Sequence, residues 1–256
     1  MSDEVLLDRH DGVAVITLNV PERRNSLTLP IATALADAVA ECERDENVRA
    51  IVVTGQPPAF CAGADLTALG EAREEGLRKI YAGFLAIAGS SLPTIAAVGG
   101  AAVGAGLNLA LACDVRIVGP KARFDARFLQ LGLHPGGGMT WMLQRAVSPQ
   151  VATAMTLFGQ VVGADEAVRT GLALRGVDGD HDALIAAARE LAAPARVAPR
   201  DLVVSIRRTM RATWSMHEHG EATETELAAQ LESMESPAFA ELLAAMRARI
   251  TGTSKS

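Results

Sequence analysis

Positive charge is in short supply in this chain of 256 residues, which has 24 lysine and arginine residues against 30 aspartate and glutamate residues and a net charge of −6. No run of basic residues offsets that balance, so the sequence argues against a nucleic-acid-binding protein. The first four residues, Met-Ser-Asp-Glu, are acidic where a secretory signal would be basic, and we therefore expect no signal of that kind.

Cysteine is also scarce, since the chain contains only Cys42, Cys61 and Cys113. Their spacing has no paired pattern of the kind that holds a metal ion, and an odd number leaves one thiol without a disulfide partner. Reduced thiols in a reducing cytosol are the simplest interpretation. We therefore expect a cytoplasmic protein without a metal site, in which Cys61 is a buried and unreactive thiol.

Charge is entirely absent from residues 82–113, a stretch long enough to span a bilayer. Six glycines, two serines and Pro93 interrupt this stretch and divide it into a helix end, a turn, a strand at residues 94–98, a glycine-rich turn and a second helix. Broken apolar runs of this type are typical of a protein core, so we expect no membrane segment.

Strand and helix patterns alternate up to about residue 120, which favours the α/β class. Apolar runs predict strands at residues 5–7, 13–18, 50–54, 94–98 and 115–118, and amphipathic spacing predicts a helix at 29–42 with Thr28 as its cap. Beyond residue 124 the pattern is mostly helical, with amphipathic segments at 201–212, 218–231 and 237–250. We expect one domain over residues 1–256, with a core at 1–195, a helical oligomerisation region at 196–250 and a tail at 251–256.

Two segments rich in glycine and alanine lie about forty residues apart. The first is Phe-Cys-Ala-Gly-Ala-Asp-Leu at residues 60–66, and the second is Gly-Gly-Ala-Ala-Val-Gly-Ala-Gly-Leu-Asn-Leu-Ala at residues 99–110. Each has the pattern of a strand end that runs into a helix start, where small residues leave backbone N–H groups free for a ligand. Two such donors brought together would form an oxyanion hole, although small-residue turns and close helix packing give the same patterns.

Together with residues 109–117 and 131–138, these segments resemble the crotonase superfamily, the enoyl-CoA hydratase and isomerase family, from about residue 13 to residue 177. The resemblance implies a spiral of β-β-α turns followed by a helical C-terminal region. It also implies an acyl-CoA thioester as substrate or ligand, no permanently bound cofactor, and a homotrimer or dimer of trimers.

The resemblance assigns roles to residues of both segments. It implies that the N–H groups of Ala64 and Ala105 are the two oxyanion donors. The family usually has glycine at the second position; alanine keeps the N–H, while its methyl group would narrow the pocket.

The resemblance also implies a binding site for coenzyme A. The backbone of the first segment would hold the adenine and pantetheine, through Ala62, Ala64, Asp65 and Leu66, although Asp65 also suits a structural role as a helix cap. Arg23 and Arg24 lie in a loop like the one whose basic residue meets the coenzyme A phosphates, and the planar fork of arginine suits phosphate. A solvated charged loop is the alternative for each arginine.

The chain departs from the family where proton transfer is concerned. The two glutamates of a family hydratase fall on Asn108 and Phe128, and a third position that carries a carboxylate in some members falls near Gly136. Asparagine cannot take up a proton at neutral pH, and phenylalanine has no acid–base capacity. Possible substitutes are His134, which could instead be a hydrogen-bonded loop histidine, and Asp125, which could instead bond a nearby arginine.

These features predict a protein of fatty-acid or related acyl-CoA metabolism that binds acyl-CoA thioesters but hydrates them poorly. Two alternatives remain open at this point. One is a different enolate reaction, such as isomerisation, decarboxylation or thioester cleavage, and the other is an acyl-CoA-binding protein without turnover. A purely structural subunit is disfavoured because both oxyanion segments are intact.

Overall fold

The computed structural model describes residues 3–65 and 74–253, with side chains up to residue 250. The chain divides into two compact units, Met1–Arg196 and Val197–Ser256. The described strands all lie in the first unit, and the second is helical where described, so strands and helices are distributed as the sequence predicts.

Two sheets form the centre of the first unit. The first has six strands in the order β1-β2-β3-β5-β7-β10, and the second has four in the order β4-β6-β8-β9. The strands are β1 (Val5–His10), β2 (Val13–Leu18), β3 (Ala50–Gly55), β4 (Ala59–Cys61), β5 (Thr94–Val98), β6 (Ala101–Val103), β7 (Val115–Val118), β8 (Arg123–Asp125), β9 (Val162–Gly163) and β10 (Arg175–Gly176).

The first sheet is parallel except for its opening hairpin. Strands β1 and β2 pair antiparallel through a turn at Asp11 and Gly12, both with positive φ, and the following strands all pair parallel. Strands β3 and β5 are buried at every position, as expected for a parallel sheet covered on both faces.

The second sheet is not indicated by the sequence pattern, because three-residue strands are too short to show any alternation. Each of β4, β6 and β8 follows a strand of the first sheet after a short connection. Strand β6 pairs parallel with both β4 and β8, and β9 closes the sheet by pairing antiparallel with β8. The chain thereby forms successive β-β-α turns, and the two small-residue segments lie where β4 and β6 end.

Helices cover the sheets of the first unit. They are α1 (Leu29–Arg44), α2 (Glu74–Gly89), α3 (Ala105–Ala112), α4 (Met139–Ala146), α5 (Pro149–Leu157), α6 (Ala164–Arg169), α7 (His181–Leu191) and α8 (Ala193–Val197), with 3-10 turns at Pro21–Arg23 and Leu129–Leu131. Thr28 caps α1 as predicted, because its side chain accepts a hydrogen bond from the Ile31 N–H at 3.4 Å. Helices α1 and α2 pack so closely that a methyl group on Gly83 would lie 2.9 Å from the Ala32 Cα.

One face of the first sheet is covered by α7. Leu184 and Ala188 of this helix pack with Val52, Ala97 and other buried strand residues into a continuous apolar cluster.

The second unit contains α9 (Arg200–Thr213), α10 (His219–Met234) and α11 (Pro237–Thr253). The predicted tail at residues 251–256 needs correction at its start, because α11 continues to Thr253. Large apolar side chains stay exposed along these helices, namely Ile206, Met210, Trp214, Leu227, Leu231, Met234, Phe239, Leu242, Met246 and Ile250. None of the helices described has the length and apolar character needed to cross a bilayer.

Candidate active site

A short backbone ladder holds the first small-residue segment against the N-terminal loop. The Ala62 N–H donates to the Arg24 carbonyl at 3.0 Å, the Leu27 N–H donates to the Gly63 carbonyl at 2.7 Å, and the Asp65 N–H donates to the Leu27 carbonyl at 2.9 Å. In this parallel bridge Ala64 is opposite Leu27, and its own N–H points to the other side. The Ala64 N–H has no hydrogen-bond acceptor among the described residues.

Asn25 fixes the loop that carries this ladder. Its side chain is fully buried and sits on a backbone with φ of 58°. The Oδ1 atom accepts from the Val20 N–H at 2.9 Å, and the Nδ2 atom donates to the carbonyls of Gln56 and Ala59 at 2.8 and 2.7 Å. The loop around Arg24 and the start of β4 are therefore one hydrogen-bonded unit.

The second small-residue segment starts α3. Gly104 lies immediately before the helix with φ of 51° and ψ of −114°, a conformation that suits glycine, and its N–H donates to the Asp125 carbonyl at 2.9 Å. Ala105 is the first helical residue, where the N–H groups have no intrahelical acceptor and the helix dipole is positive. No acceptor for the Ala105 N–H occurs in the part of the chain that is described.

The two small-residue segments are in backbone contact at Gly63 and Gly106. A methyl group on Gly106 would lie 2.0 Å from the Cys61 carbonyl oxygen, and one on Gly63 would lie 2.8 Å from the Val103 carbonyl oxygen and 3.8 Å from the Ala105 nitrogen. Only glycine permits this approach, which brings the N–H of the second segment next to the backbone of the first.

Ala64 and Ala105 line one cavity of about 280 Å³ in the first unit. Of the other predicted site residues, Ala62, Asn108, Phe128 and His134 line it as well. Asp65, Arg23 and Arg24 are not among its lining residues, and Leu66 lies outside the described residues. The remaining lining residues are Gly63, Leu77, Ile80, Tyr81, Val103, Gly104, Ala126, Arg127, Leu131, Leu133 and Gly136.

Asn108 occupies the wall of the cavity with its side chain 1% exposed. Its Nδ2 atom donates to the Gly136 carbonyl at 2.9 Å, which fixes the amide orientation because the reverse would set two acceptors against each other. Its Oδ1 atom is buried without a hydrogen-bond partner. Asn108 therefore holds the Gly136 backbone and presents one unfilled acceptor.

Asp125 is buried and forms an ion pair with Arg127. Its carboxylate accepts hydrogen bonds from Nε of Arg127 at 3.0 Å and from Nη2 of the same guanidinium. These bonds raise the pKa of Arg127. Asp125 does not line the cavity, so the predicted role as a substitute acid or base is not supported and the alternative, an ion pair with a neighbouring arginine, is what the structure has.

His134 lies at the exposed rim of the cavity. Its Nδ1 atom is 2.7 Å from the Pro135 carbonyl oxygen, and since a carbonyl only accepts, Nδ1 carries the proton there. No side chain orients the ring within the described residues, so the structure agrees with a loop histidine hydrogen-bonded to the backbone.

The two arginines of the N-terminal loop differ in their surroundings. Arg23 donates to Glu4 Oε1 at 2.5 Å. The exposed Arg24 side chain makes no ion pair with any residue that is described, while its carbonyl accepts from Ala62 as stated above.

Cys61 belongs to the first small-residue segment. Cys61 is fully buried, as the sequence predicts, and burial raises the pKa of its thiol to about 12, which keeps it protonated. Among the residues described, no cluster of three or more histidine, cysteine, aspartate and glutamate side chains is placed to hold a metal ion.

Tyr81 is the cavity residue that the sequence analysis missed. It is the sole tyrosine of the chain and lies on α2, with its ring centroid 5.6 Å from that of Phe84. A methyl group on Gly136 would lie 2.2 Å from its Oη atom. The one available signal was a lone tyrosine in a helix, and helical spacing does not reveal that this helix faces residues 136 and 137.

Comparisons with known proteins agree with one another. The family model described as enoyl-CoA hydratase/isomerase matches residues 8–244. The chain is 53% identical over 256 residues to a Mycobacterium tuberculosis protein named probable enoyl-CoA hydratase, with 96% of this chain and 98% of the relative covered. Solved structures of enoyl-CoA hydratases from Mycobacterium smegmatis (29% identity, TM-score 0.88, 97% of each chain) and Bacillus anthracis (26%, 0.89, 96% of each chain) are similar over nearly their whole length.

Proposed function

The chain belongs to the enoyl-CoA hydratase/isomerase family and has the crotonase fold, and from this premise we propose that it binds acyl-CoA thioesters and stabilises their enolate form. The observation that carries the proposal is the pair of backbone N–H groups of Ala64 and Ala105, both without an acceptor in the described chain, on residues that line one cavity. Two such donors stabilise negative charge on a thioester oxygen, and one is worth roughly 10²–10³ in rate.

The coenzyme A part of the ligand would bind along the first segment and the N-terminal loop. The exposed guanidinium of Arg24 is available for phosphate, whereas Arg23 would have to exchange Glu4 for it. The backbone ladder from Arg24 to Asp65 supports the proposal, because it joins the phosphate end of such a site to the cavity. No cofactor other than the thioester ligand itself enters this proposal.

The reaction we propose is one that works without the two carboxylates of a hydratase. Asn108 and Phe128, on which the resemblance sets the two glutamates of a hydratase, both line the cavity and cannot transfer protons. Asp125 is held by Arg127. Hydration should therefore be slow, and the protein serves acyl-CoA metabolism through another enolate reaction. A second candidate, binding of acyl-CoA without turnover, is favoured by the same lack of carboxylates.

Self-association into a trimer or a dimer of trimers is part of the proposal. The exposed apolar side chains of α9, α10 and α11 support it, because exposed apolar side chains gathered on a few helices are typical of protein interfaces. A cytoplasmic location is also proposed, in keeping with three buried cysteines that form no disulfide.

An Ala105→Pro variant tests the oxyanion hole directly. Proline removes the N–H yet is well tolerated at the first position of a helix, so the fold should persist. Ala105→Gly is the matched control because it keeps the donor. With crotonyl-CoA and acyl-CoA thioesters as probes, we expect Ala105→Pro to lose roughly 10²–10³ in any enolate-forming rate that Ala105→Gly retains. Equal rates for the two variants, or no thioester binding by the unmodified protein, would refute the proposal.

A further inference from the structure

The phenol of Tyr81 fills the space that a side chain at position 136 would need. A methyl group on Gly136 would lie 2.2 Å from Oη and 3.2 Å from Cζ of Tyr81. The nitrogen of Asn108 holds the Gly136 carbonyl at 2.9 Å, so the backbone at this position is fixed beside the phenol. The hydroxyl group thus reaches the cavity at the place where a carboxylate on residue 136 would otherwise begin.

The hydroxyl group of Tyr81 is chemically available. Its ring packs on Phe84 at an angle of 46°, and Oη makes no hydrogen bond within the described residues. The other titratable side chains described along the cavity are occupied, because Arg127 pairs with Asp125 and His134 is bonded to the backbone at the rim. Tyr81 therefore offers the cavity an O–H donor that no described protein group uses.

We propose that Tyr81 is the catalytic proton-transfer residue of this site and that its Oη exchanges a proton with Cα of the bound thioester. The inference rests on the proposed function, since it requires the thioester oxygen to lie between the N–H groups of Ala64 and Ala105. A phenol can donate its proton to an enolate and, once ionised, can accept one from Cα.

The proton exchange between Tyr81 and the thioester needs no further reactant. When tyrosinate acts as base, the Cα–H bond breaks, the proton passes to Oη, and the electron pair moves onto the thioester oxygen to give the enolate. In the reverse direction the Oη–H bond breaks, Cα gains the proton, and the thioester is restored. Tyr81 ends each exchange as it began.

Other charged and titratable groups lie on the elements around Tyr81, and burial raises the pKa of the Cys42 thiol on α1 to about 11. The Tyr81→Phe variant keeps all of them, so it separates their contribution to a pH profile from that of the phenol. On α2 itself, Glu74 and Glu75 pair at the surface with Arg78 and Lys79. The neighbouring helices α1 and α4 carry titratable or charged side chains at Asp37, Glu41, Glu43, Arg44, Cys42 and Arg145, and α3 carries none. Among the described residues that line the cavity, the charged or titratable side chains besides Tyr81 are those of Arg127 and His134.

Deuterium exchange at Cα tests the proposal without a choice of overall reaction. The protein is incubated with butyryl-CoA in deuterated buffer, incorporation at Cα is followed by mass spectrometry across a pH range, and binding of butyryl-CoA is titrated on the same samples. We expect exchange to rise about tenfold per pH unit below the phenol pKa. Tyr81→Phe should bind butyryl-CoA as before and exchange it at least about 100-fold more slowly.

The outcomes separate the two proposals. Failure of the unmodified protein to bind butyryl-CoA would refute the proposed function. Equal exchange by Tyr81→Phe would refute the role of Tyr81 and leave the proposed function standing. Binding without exchange in the unmodified protein would refute the role of Tyr81 and leave the second candidate function, binding without turnover. Loss of exchange in a His134→Ala variant with Tyr81 intact would likewise assign the proton to the histidine and overturn the inference.

Two further measurements keep the test independent of folding effects. Because the chain has a single tyrosine, its ionisation can be followed in the unmodified protein by ultraviolet absorbance, and we expect one transition that moves when butyryl-CoA binds. A Tyr81→Ala/Gly136→Asp double variant exchanges the phenol for a carboxylate in the vacated space. We expect the double variant to recover the exchange that Tyr81→Ala lacks, with little pH dependence above neutrality. If butyryl-CoA does not move the ionisation of the tyrosine and the double variant recovers no exchange, the proposal is wrong.

Discussion

Single residues decide what this cavity can do, and Asn108 and Phe128 matter most. We predict slow hydration of crotonyl-CoA by the unmodified protein and a gain of roughly 10²-fold or more in an Asn108→Glu/Phe128→Glu variant, since each positioned acid–base group typically contributes roughly 10²–10⁴. Loss of crotonyl-CoA absorbance measures the rate.

Folding must be checked in that double variant. Asn108 is almost fully buried and holds the Gly136 carbonyl, so a carboxylate there has a desolvation cost, whereas Phe128 is only half-buried. Circular dichroism decides whether the variant is folded, and Phe128→Glu alone is the control with the smaller cost. Efficient hydration by the unmodified protein would contradict the prediction.

Gly106 is the residue on which the contact between the two small-residue segments depends. We predict that Gly106→Ala lowers the free energy of unfolding by about 1–3 kcal/mol, because the added methyl group would lie 2.0 Å from the Cys61 carbonyl oxygen and backbone would have to move. Gly220→Ala is the matched control: it too lies in a helix, its added methyl group meets nothing within 4 Å, and it should be stabilising by about 0.5–1 kcal/mol. Equal urea midpoints for the two variants would contradict this prediction.

At the scale of elements, Glu43 joins the end of α1 to the turn between α2 and β5. Its carboxylate accepts from the Ser90 hydroxyl at 2.6 Å, the Ser91 N–H at 2.8 Å and the Ser91 hydroxyl at 2.5 Å. Burial raises the pKa of this carboxyl, but these hydrogen bonds together outweigh burial and hold the pKa below its usual range. A lowered pKa stabilises the folded protein above the unfolded pKa of the group.

We therefore predict that Glu43→Gln is less stable than the unmodified protein near neutral pH and that the difference disappears as the pH falls through the lowered pKa. Urea unfolding at several pH values measures it. Glu75→Gln is the control, since Glu75 pairs with Lys79 at 2.8 Å on the surface and such pairs contribute little. A difference that grows in acid would disprove the assignment.

Elements with a strong apolar pattern could be predicted closely, and short ones could not. The strands Thr94–Val98 and Val115–Val118 have the predicted bounds, and α1 begins at Leu29 after its predicted cap. The second sheet could not be predicted from the sequence, because its strands of two or three residues form only through pairing with one another.

The residues of the candidate site also divide into those that a local sequence pattern predicts and those that it does not. Residues of the two small-residue segments could be predicted because adjacent backbone carries the pattern. Tyr81 could not, since it meets Gly136 across 55 positions of sequence through the packing of α2, and no local pattern encodes that contact. The pairing of Asp125 with Arg127 was foreseen only as an alternative, because which way a buried carboxylate turns depends on the tertiary surroundings.

At the scale of the whole molecule, the apolar surface of the second unit leads to a prediction about assembly. We expect the unmodified protein to self-associate at micromolar concentration and a Leu242→Glu/Met246→Glu variant to shift towards monomer. These side chains are 56% and 54% exposed, and charges there would oppose burial in an interface. Sedimentation velocity measures the mass.

The control for assembly lies in the first unit. Leu6→Glu introduces the same charge at an apolar side chain that is 41% exposed on β1, and it should leave the assembled mass unchanged. A monomeric unmodified protein, or equal dissociation by both variants, would contradict an interface built from α11.

The shared space of Tyr81 and Gly136 has a consequence for how such sequences can diverge. Because a side chain at 136 and a phenol at 81 compete for one volume, position 136 is not free to change while Tyr81 is present. Lineages that acquire a carboxylate at position 136 should already have lost the aromatic ring at position 81. The change should therefore pass through an intermediate with a small residue at both positions. Ancestral branch points should therefore carry that pair of small residues, and the two positions should covary across the family more strongly than their distance along the chain would suggest.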